Sequence, residues 1–148
     1  MTKPPHTSHE PCPVARASSL IGDRWTLLIV RDAFDGVRRF SDFQRSLGVA
    51  RNILSDRLRR LVDAGILASQ PAREGSAYQE YVLTEAGEDL FPLVLALRQW
   101  GERQLFAPYE AHSELIETAT GEPVAPMLPR SRDGKVLAPH EATVRKLA

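Results

Sequence analysis

The chain has 148 residues, 43% apolar and 26% charged, values that suit one soluble globular domain with or without a tail. No apolar run approaches the roughly 18–20 residues that span a bilayer. Met1 to Pro13 holds four prolines, two histidines and no hydrophobic stretch, so no signal peptide is read there and a cytoplasmic address is expected. The single cysteine, Cys12, excludes a disulfide framework within one chain and a four-cysteine zinc site.

The net charge of zero conceals an asymmetry. Residues 16–60 hold ten arginines against five aspartates, a net +5, whereas residues 61–125 hold three arginines against eleven acids, a net −8. The last stretch, 126–148, is +3. An arginine-rich segment suits phosphate, and the acidic one does not. Proline placement divides the chain: four lie in residues 1–13, five in 108–139, and only Pro71 and Pro92 between. We therefore read a flexible arm over 1–13, a folded unit over 14–106 and a turn-rich extension over 107–148.

Val14 to Ile21 reads as a short helix ended by Gly22, and Arg24 to Phe34 as a second, with Trp25, Leu28 and Ile29 at helical spacing. Asp35-Gly36 signals a turn. A third short helix follows, with Ser41 as its expected cap and Phe40, Phe43 and Leu47 on one face. Gly48-Val49 separates it from a longer helix, Ala50 to Ala64, carrying Leu54, Leu58 and Leu61 on one side and closed by Gly65. The period then changes. Ile66–Arg73 and Tyr78–Leu83 read as two strands around Glu74-Gly75-Ser76-Ala77. Thr84 is the expected cap of one last helix to about Phe106, kinked near Pro92, with Leu90, Leu93, Val94, Leu97 and Trp100 on its apolar face. Short helix, tight glycine turn, longer helix and hairpin make a winged helix-turn-helix: mainly α, with a small β-hairpin wing.

Cys12-Pro13-Val14, Gly22-Asp23-Arg24-Trp25, Leu27-Leu28-Ile29, Arg39-Phe40, Leu54-Ser55, Arg57-Leu58, Leu61, Gly65, Tyr81-Val82-Leu83-Thr84, Gly87 and Trp100-Gly101 carry a resemblance. Over residues 12–105 the chain resembles the HxlR-type, MarR-like transcriptional regulators. The resemblance implies a homodimeric DNA-binding protein without catalytic activity or cofactor, its dimer built by the N- and C-terminal helices. Ala50 stands where a small polar cap is usual, and the wing lacks the usual proline-rich turn.

On a wheel of 100° per residue, Asn52, Ser55, Arg59 and Asp63 lie opposite the leucines of the Ala50–Ala64 helix. A major groove admits a helix, and Arg, Asn and Ser at its exposed N-terminal face reach base edges. Arg51, Asn52, Ser55 and Arg59 are the candidate base-reading residues, set against a merely solvated face. Arg38, Arg39 and Ser41 are candidates for phosphate at the start of the third helix, where the dipole and unpaired N–H groups favour an anion. The alternative for Arg39 is an internal pair with Asp42 or Asp23. Arg73 is a candidate wing contact, though Glu74 and Glu80 flank the wing and oppose phosphate. Trp25 and Trp100 read as core or dimer packing, and Asp23 with Arg24 as a structural pair at a helix start.

Cys12 is the expected cap of the first helix, with Pro13 at its first position and Arg16 one turn away. Within the resemblance, a cysteine near this place sometimes senses oxidants or electrophiles; the bland alternative is a residue with no sensing role. His6-x-x-His9-x-x-Cys12 offers three ligand types where zinc wants four, so no metal is expected. In the extension, Thr120-Gly121-Glu122 and Asp133-Gly134-Lys135 suggest two hairpins or turns burying Val124, Met127, Leu128, Val136 and Leu137.

The expected partners are double-stranded DNA, a second copy of the chain and a small-molecule or electrophile effector, with no membrane. Its expected function is a sequence-specific transcriptional regulator; a winged-helix protein–protein module without DNA binding is the alternative. All four histidines lie outside residues 14–106, and no Ser/His/Asp cluster is visible, which opposes an enzyme.

Overall fold

A computed structural model describes residues 11–75 and 77–146. Most of the N-terminal arm, with His6, His9 and the two terminal residues, lies outside them, as does Ser76 at the wing tip. The order is α1 (Pro13–Ile21), α2 (Arg24–Phe34), α3 (Phe40–Leu47), α4 (Arg51–Asp63), β1 (Leu67–Pro71), β2 (Gln79–Leu83), α5 (Glu85–Glu88) and α6 (Phe91–Leu105), then a 3-10 turn at Pro139–Glu141. The chain forms two compact units, one ending at Val94 and the other beginning at Leu95.

In the first unit, Ile29 and Val30 of α2, Phe43 of α3, Leu54, Leu58 and Leu61 of α4 and Leu67 of β1 make one core. Half-buried Trp25, Phe40 and Leu47 pack against it. The leucine stripe of α4 is fully inside, while Arg51, Asn52, Ser55, Arg59 and Asp63 are exposed, so the helix has the two faces its periodicity implies. Between α3 and α4, Gly48 takes φ 62°, the left-handed conformation that closes α3 at little steric cost for glycine. The strands pair antiparallel, with Leu67 opposite Leu83 and Pro71 opposite Gln79. A β-bridge joins Arg39 to Glu80, and the Tyr81 N–H donates to the Arg38 carbonyl at 2.8 Å.

That bridge changes the start of α3. It holds Arg39 extended (φ −95°, ψ 145°) as the N-cap, so the helix begins at Phe40. Ser41 is therefore inside the first turn, exposed, and does not cap.

The last helix is also different from expectation. Thr84 does cap, accepting from the Gly87 N–H at 3.1 Å, but the helix it opens is only Glu85–Glu88. A continuous helix would need a donor at position 92 for the Glu88 carbonyl, and proline has none, so α6 restarts with Pro92 in its first turn. Along α6 the buried residue is Leu95, whereas Leu93, Leu97 and Trp100 are exposed. Leu93, Val94, Leu95 and Leu97 spread over about 200° of the helix circumference, so periodicity alone did not choose the packed stripe.

Thr84 and Gly87 also explain the Leu-Thr-x-x-Gly run. The Thr84 hydroxyl donates to the carbonyls of Gly65 and Ile66, drawing α5 against that backbone. A Cβ at Gly87 would stand 2.2 Å from the Ile66 carbonyl oxygen, a contact backbone cannot yield to cheaply. Gly87→Ala should therefore cost about 1–3 kcal/mol of stability by overpacking, read as a lowered urea midpoint; a midpoint unchanged from wild type would refute the close approach.

The second unit holds the C-terminal part of α6 and the extension. Gly121 and Gly134 turn two short loops closed by the bridges Ile116–Pro123 and Arg130–Val136. Gln99 clasps the first, donating to the Ala125 carbonyl and accepting from the Met127 N–H. The expected burial is corrected here: Val124 and Leu137 are half-buried, but Met127, Leu128 and Val136 are exposed. Isolated bridges and one 3-10 turn supply too little regular structure to enclose five apolar side chains.

Candidate nucleic-acid interface

The N-termini of α3 and α4 and the wing surround a groove of about 420 Å³ lined by Arg39, Phe40, Ser41, Arg51, Tyr78, Gln79 and Tyr81. Two of its arginines lie over aromatic rings. Arg51 is 4.9 Å from the Phe40 ring centre and Arg39 is 5.6 Å from that of Tyr78. A ring under a guanidinium orients the plane without using its N–H groups, which stay available to an anion. Arg39 also pairs with Glu74 at the wing, so neither Asp42 nor Asp23 is its partner. Asp42 is engaged by Arg45 at 3.1 Å.

Asn52 and Ser55 are exposed on the first two turns of α4. Ala50 is the N-cap and supplies no side-chain bond to the first N–H groups of that helix. Arg59, further along, donates to Asp56 at 2.8 Å. Both partners are exposed enough for solvent to weaken the pair. Arg38 and Arg73 converge elsewhere, on Glu80: Arg38 Nη1 is 3.5 Å and Arg73 Nε 3.9 Å from its Oε2. Cys12 is the exposed N-cap of α1, with Pro13 at the first helical position and the Arg16 N–H donating to its carbonyl at 3.0 Å.

The underside of α4 is anchored through Arg57, which the sequence named only within the resemblance motif and not as a contact residue. Arg57 Nε donates to Asp23 Oδ2 at 3.1 Å, and its Nη1 to Asp56 at 2.7 Å. Asp23 caps α2 by accepting from the Thr26 N–H and hydroxyl. Its charged partner is thus Arg57, while Arg24 lies over the Trp25 ring at 4.9 Å. A pair separated by 34 residues leaves no local spacing signal. Arg57 next to Asp56 was the visible hint.

Burial pushes the Asp23 carboxyl up, but bonds from the Thr26 side chain and N–H and from Arg57 outweigh it and hold its pKa below 3.8. A folded value below the unfolded one stabilises above the unfolded pKa, about 3.9, and that contribution is lost as pH falls through the folded value. Asp23→Asn keeps a capping oxygen but loses the charge, so it should cost about 1 kcal/mol at neutral pH, discounted for the water that reaches the pair. Urea titrations should show the gap from wild type closing below about pH 4; a gap that persists in acid would count against this assignment.

The HxlR-like helix-turn-helix family matches residues 20–108. The chain belongs to that family. Over 130 residues it is 42% identical to the HTH-type transcriptional regulator Rv3095 of Mycobacterium tuberculosis, covering 88% of this chain and 82% of that relative. Among solved structures it is similar to PA1607, assigned as a transcription factor, at 51% identity and TM-score 0.89, covering 93% of this chain and 96% of the other. The redox regulator HypR in its reduced form is 32% identical, with TM-score 0.58, over 62% of this chain and 92% of its own. The chain is a helix-turn-helix transcriptional regulator. No helix among the described residues is long and apolar enough to cross a membrane.

Proposed function

We infer that the chain represses transcription as a homodimer that binds double-stranded DNA at an inverted repeat. The observation carrying this is the exposed face of α4, with Arg51, Asn52, Ser55 and Arg59, beside a groove walled by Arg39 and Ser41. Inserted in the major groove, Asn52, Ser55 and the two arginines read base edges. Arg38, Arg39, Ser41 and Arg73 hold phosphates on either side and set the register. Two copies related by a twofold axis place two α4 helices about 34–36 Å apart, one turn of duplex. Val14 on α1 and Leu97, Trp100 and Leu105 on α6 are exposed apolar groups that support pairing through these helices.

Cys12 is the proposed sensor. Its thiol is exposed at the N-cap of α1 and so is open to oxidants and electrophiles. That HypR is a redox regulator solved in reduced and oxidised forms supports the reading. A disulfide between the two copies would use both Cys12 residues, the oxidant accepting two electrons and each thiol losing a proton.

Fluorescence polarisation against duplex from upstream of the protein's own gene, beside a scrambled duplex, tests both statements. Preference for the upstream duplex that an oxidant abolishes in wild type but not in Cys12→Ser supports them together. Preference indifferent to oxidant keeps the regulator and removes the thiol switch. Binding to neither duplex at low salt refutes the DNA reading and favours a winged-helix protein–protein module.

A further inference from the structure

We propose that Glu80 is a positioning residue for DNA-backbone contacts, acting through Arg38 and Arg73; this rests on the DNA-binding reading above. Glu80 is 4% exposed, and its Oε2 is shielded from solvent with no hydrogen-bond partner among the described residues. A buried carboxylate is costly unless cations answer it. Arg38 and Arg73 stand at ion-pair distance from that oxygen, 3.5 and 3.9 Å away. One precedes α3 and the other follows β1, so a single carboxylate ties two distant chain segments together. The backbone fixes its place through the Arg39–Glu80 bridge and the Tyr81–Arg38 bond.

Each guanidinium has more N–H groups than one carboxylate oxygen uses. Arg38 keeps 35% and Arg73 70% of its side chain exposed, so outward N–H groups remain for phosphate. Glu74 offers a contrast. Its pair with Arg39 has 51% of the glutamate exposed, and such a pair yields readily to a competing phosphate. Glu80 is buried, screened far less by salt, and stays in place when DNA arrives. It therefore acts as a fixed anchor for two long side chains, where Glu74 acts as an exchangeable partner.

Replacing Glu80 by glutamine has two opposed effects. One positive charge is unmasked towards phosphate, and two arginines lose their anchor. At about 0.15 M salt the screening length is about 8 Å, which dilutes the gained charge. Ordering an unanchored arginine opposes binding at every salt concentration. Loss of order therefore wins near physiological salt.

The test uses the full chain and a fluorescein-labelled scrambled duplex, because backbone contacts do not depend on sequence. Glu80→Gln should bind about five- to tenfold more weakly at about 0.15 M salt. Its plot of log affinity against log salt should be shallower by about one to two, the loss of one or two phosphate contacts. Glu80→Asp, which retains the charge, should keep the wild-type slope. In an Arg38→Gln/Arg73→Gln background, adding Glu80→Gln should change affinity by less than about twofold, as for residues acting as one unit.

A merely structural glutamate would lower the melting temperature and weaken binding in that background too, with the slope unmoved; this outcome overturns the proposal. So does Glu80→Gln binding as tightly as wild type, or more tightly. If Glu80→Gln does not fold, Glu80→Asp and the arginine double variant decide: a double variant with the wild-type slope overturns the proposal, and one with a shallower slope beside an unchanged Glu80→Asp supports it. Wild type failing to bind any duplex removes the DNA reading itself, whereas wild-type binding with an unmoved Glu80→Gln slope removes only the role of Glu80.

Discussion

Phe43→Ala should lower the unfolding free energy by about 3–5 kcal/mol, the usual cost of emptying a fully buried phenylalanine site. Phe43 is 0% exposed and is the one buried residue of α3. That helix has eight residues, short of the roughly 12–15 an isolated helix needs in water, so packing rather than propensity holds it. Removing the aromatic ring opens a cavity between α2, α3 and α4 and loosens the element that carries Ser41 and leads into α4. Urea unfolding followed by far-ultraviolet circular dichroism measures the loss. Phe43→Leu, which refills most of the volume, should recover the larger part. A loss under about 1 kcal/mol for the alanine variant would mean the site collapses freely and α3 is held by other contacts.

Asn52→Ala should cost about 1–3 kcal/mol of affinity at a specific site and leave scrambled DNA unaffected. Asn52 is exposed on the first turn of α4, and an asparagine amide meets adenine through one donor and one acceptor, a pairing no other base reproduces. Arg59→Ala should fall towards the lower end of that range. Its guanidinium is already bonded to Asp56, and DNA must first displace that exposed pair. Polarisation titrations of wild type and both variants, on matched specific and scrambled duplexes, give the specificity ratio directly. Equal losses on both duplexes would reassign Asn52 from base reading to backbone contact.

The residues differ in how far they could be read before the fold was known. The faces of α4 follow from the spacing of Leu54, Leu58 and Leu61, because a helix converts sequence separation into angle with no outside help. The glycine closing α3 and the Thr84 cap are equally local. Ser41 failed as a cap because a bridge from β2, forty residues away, holds Arg39 extended. Glu80 was read as a charge flanking the wing and opposing phosphate. In β2 the half-buried Tyr81 and Leu83 pack on the core, so alternation sends Glu80 outward. What buries it is the Arg38–Arg39 segment laid along the strand, an event no periodicity reports.

The sequence by itself thus determined the helices and strands as far as Leu83 and the buried stripe of each helix of the helix-turn-helix, since these rest on spacings within about one to four turns of chain. The family was read from the resemblance of its motifs. Tertiary structure decided which charges meet. Arg57 reaches Asp23 across 34 residues, Arg39 turns to Glu74, and Arg38 and Arg73 converge on one buried carboxylate. Coulomb energy depends on separation in space and on the dielectric around the pair, and neither quantity exists until the chain has packed.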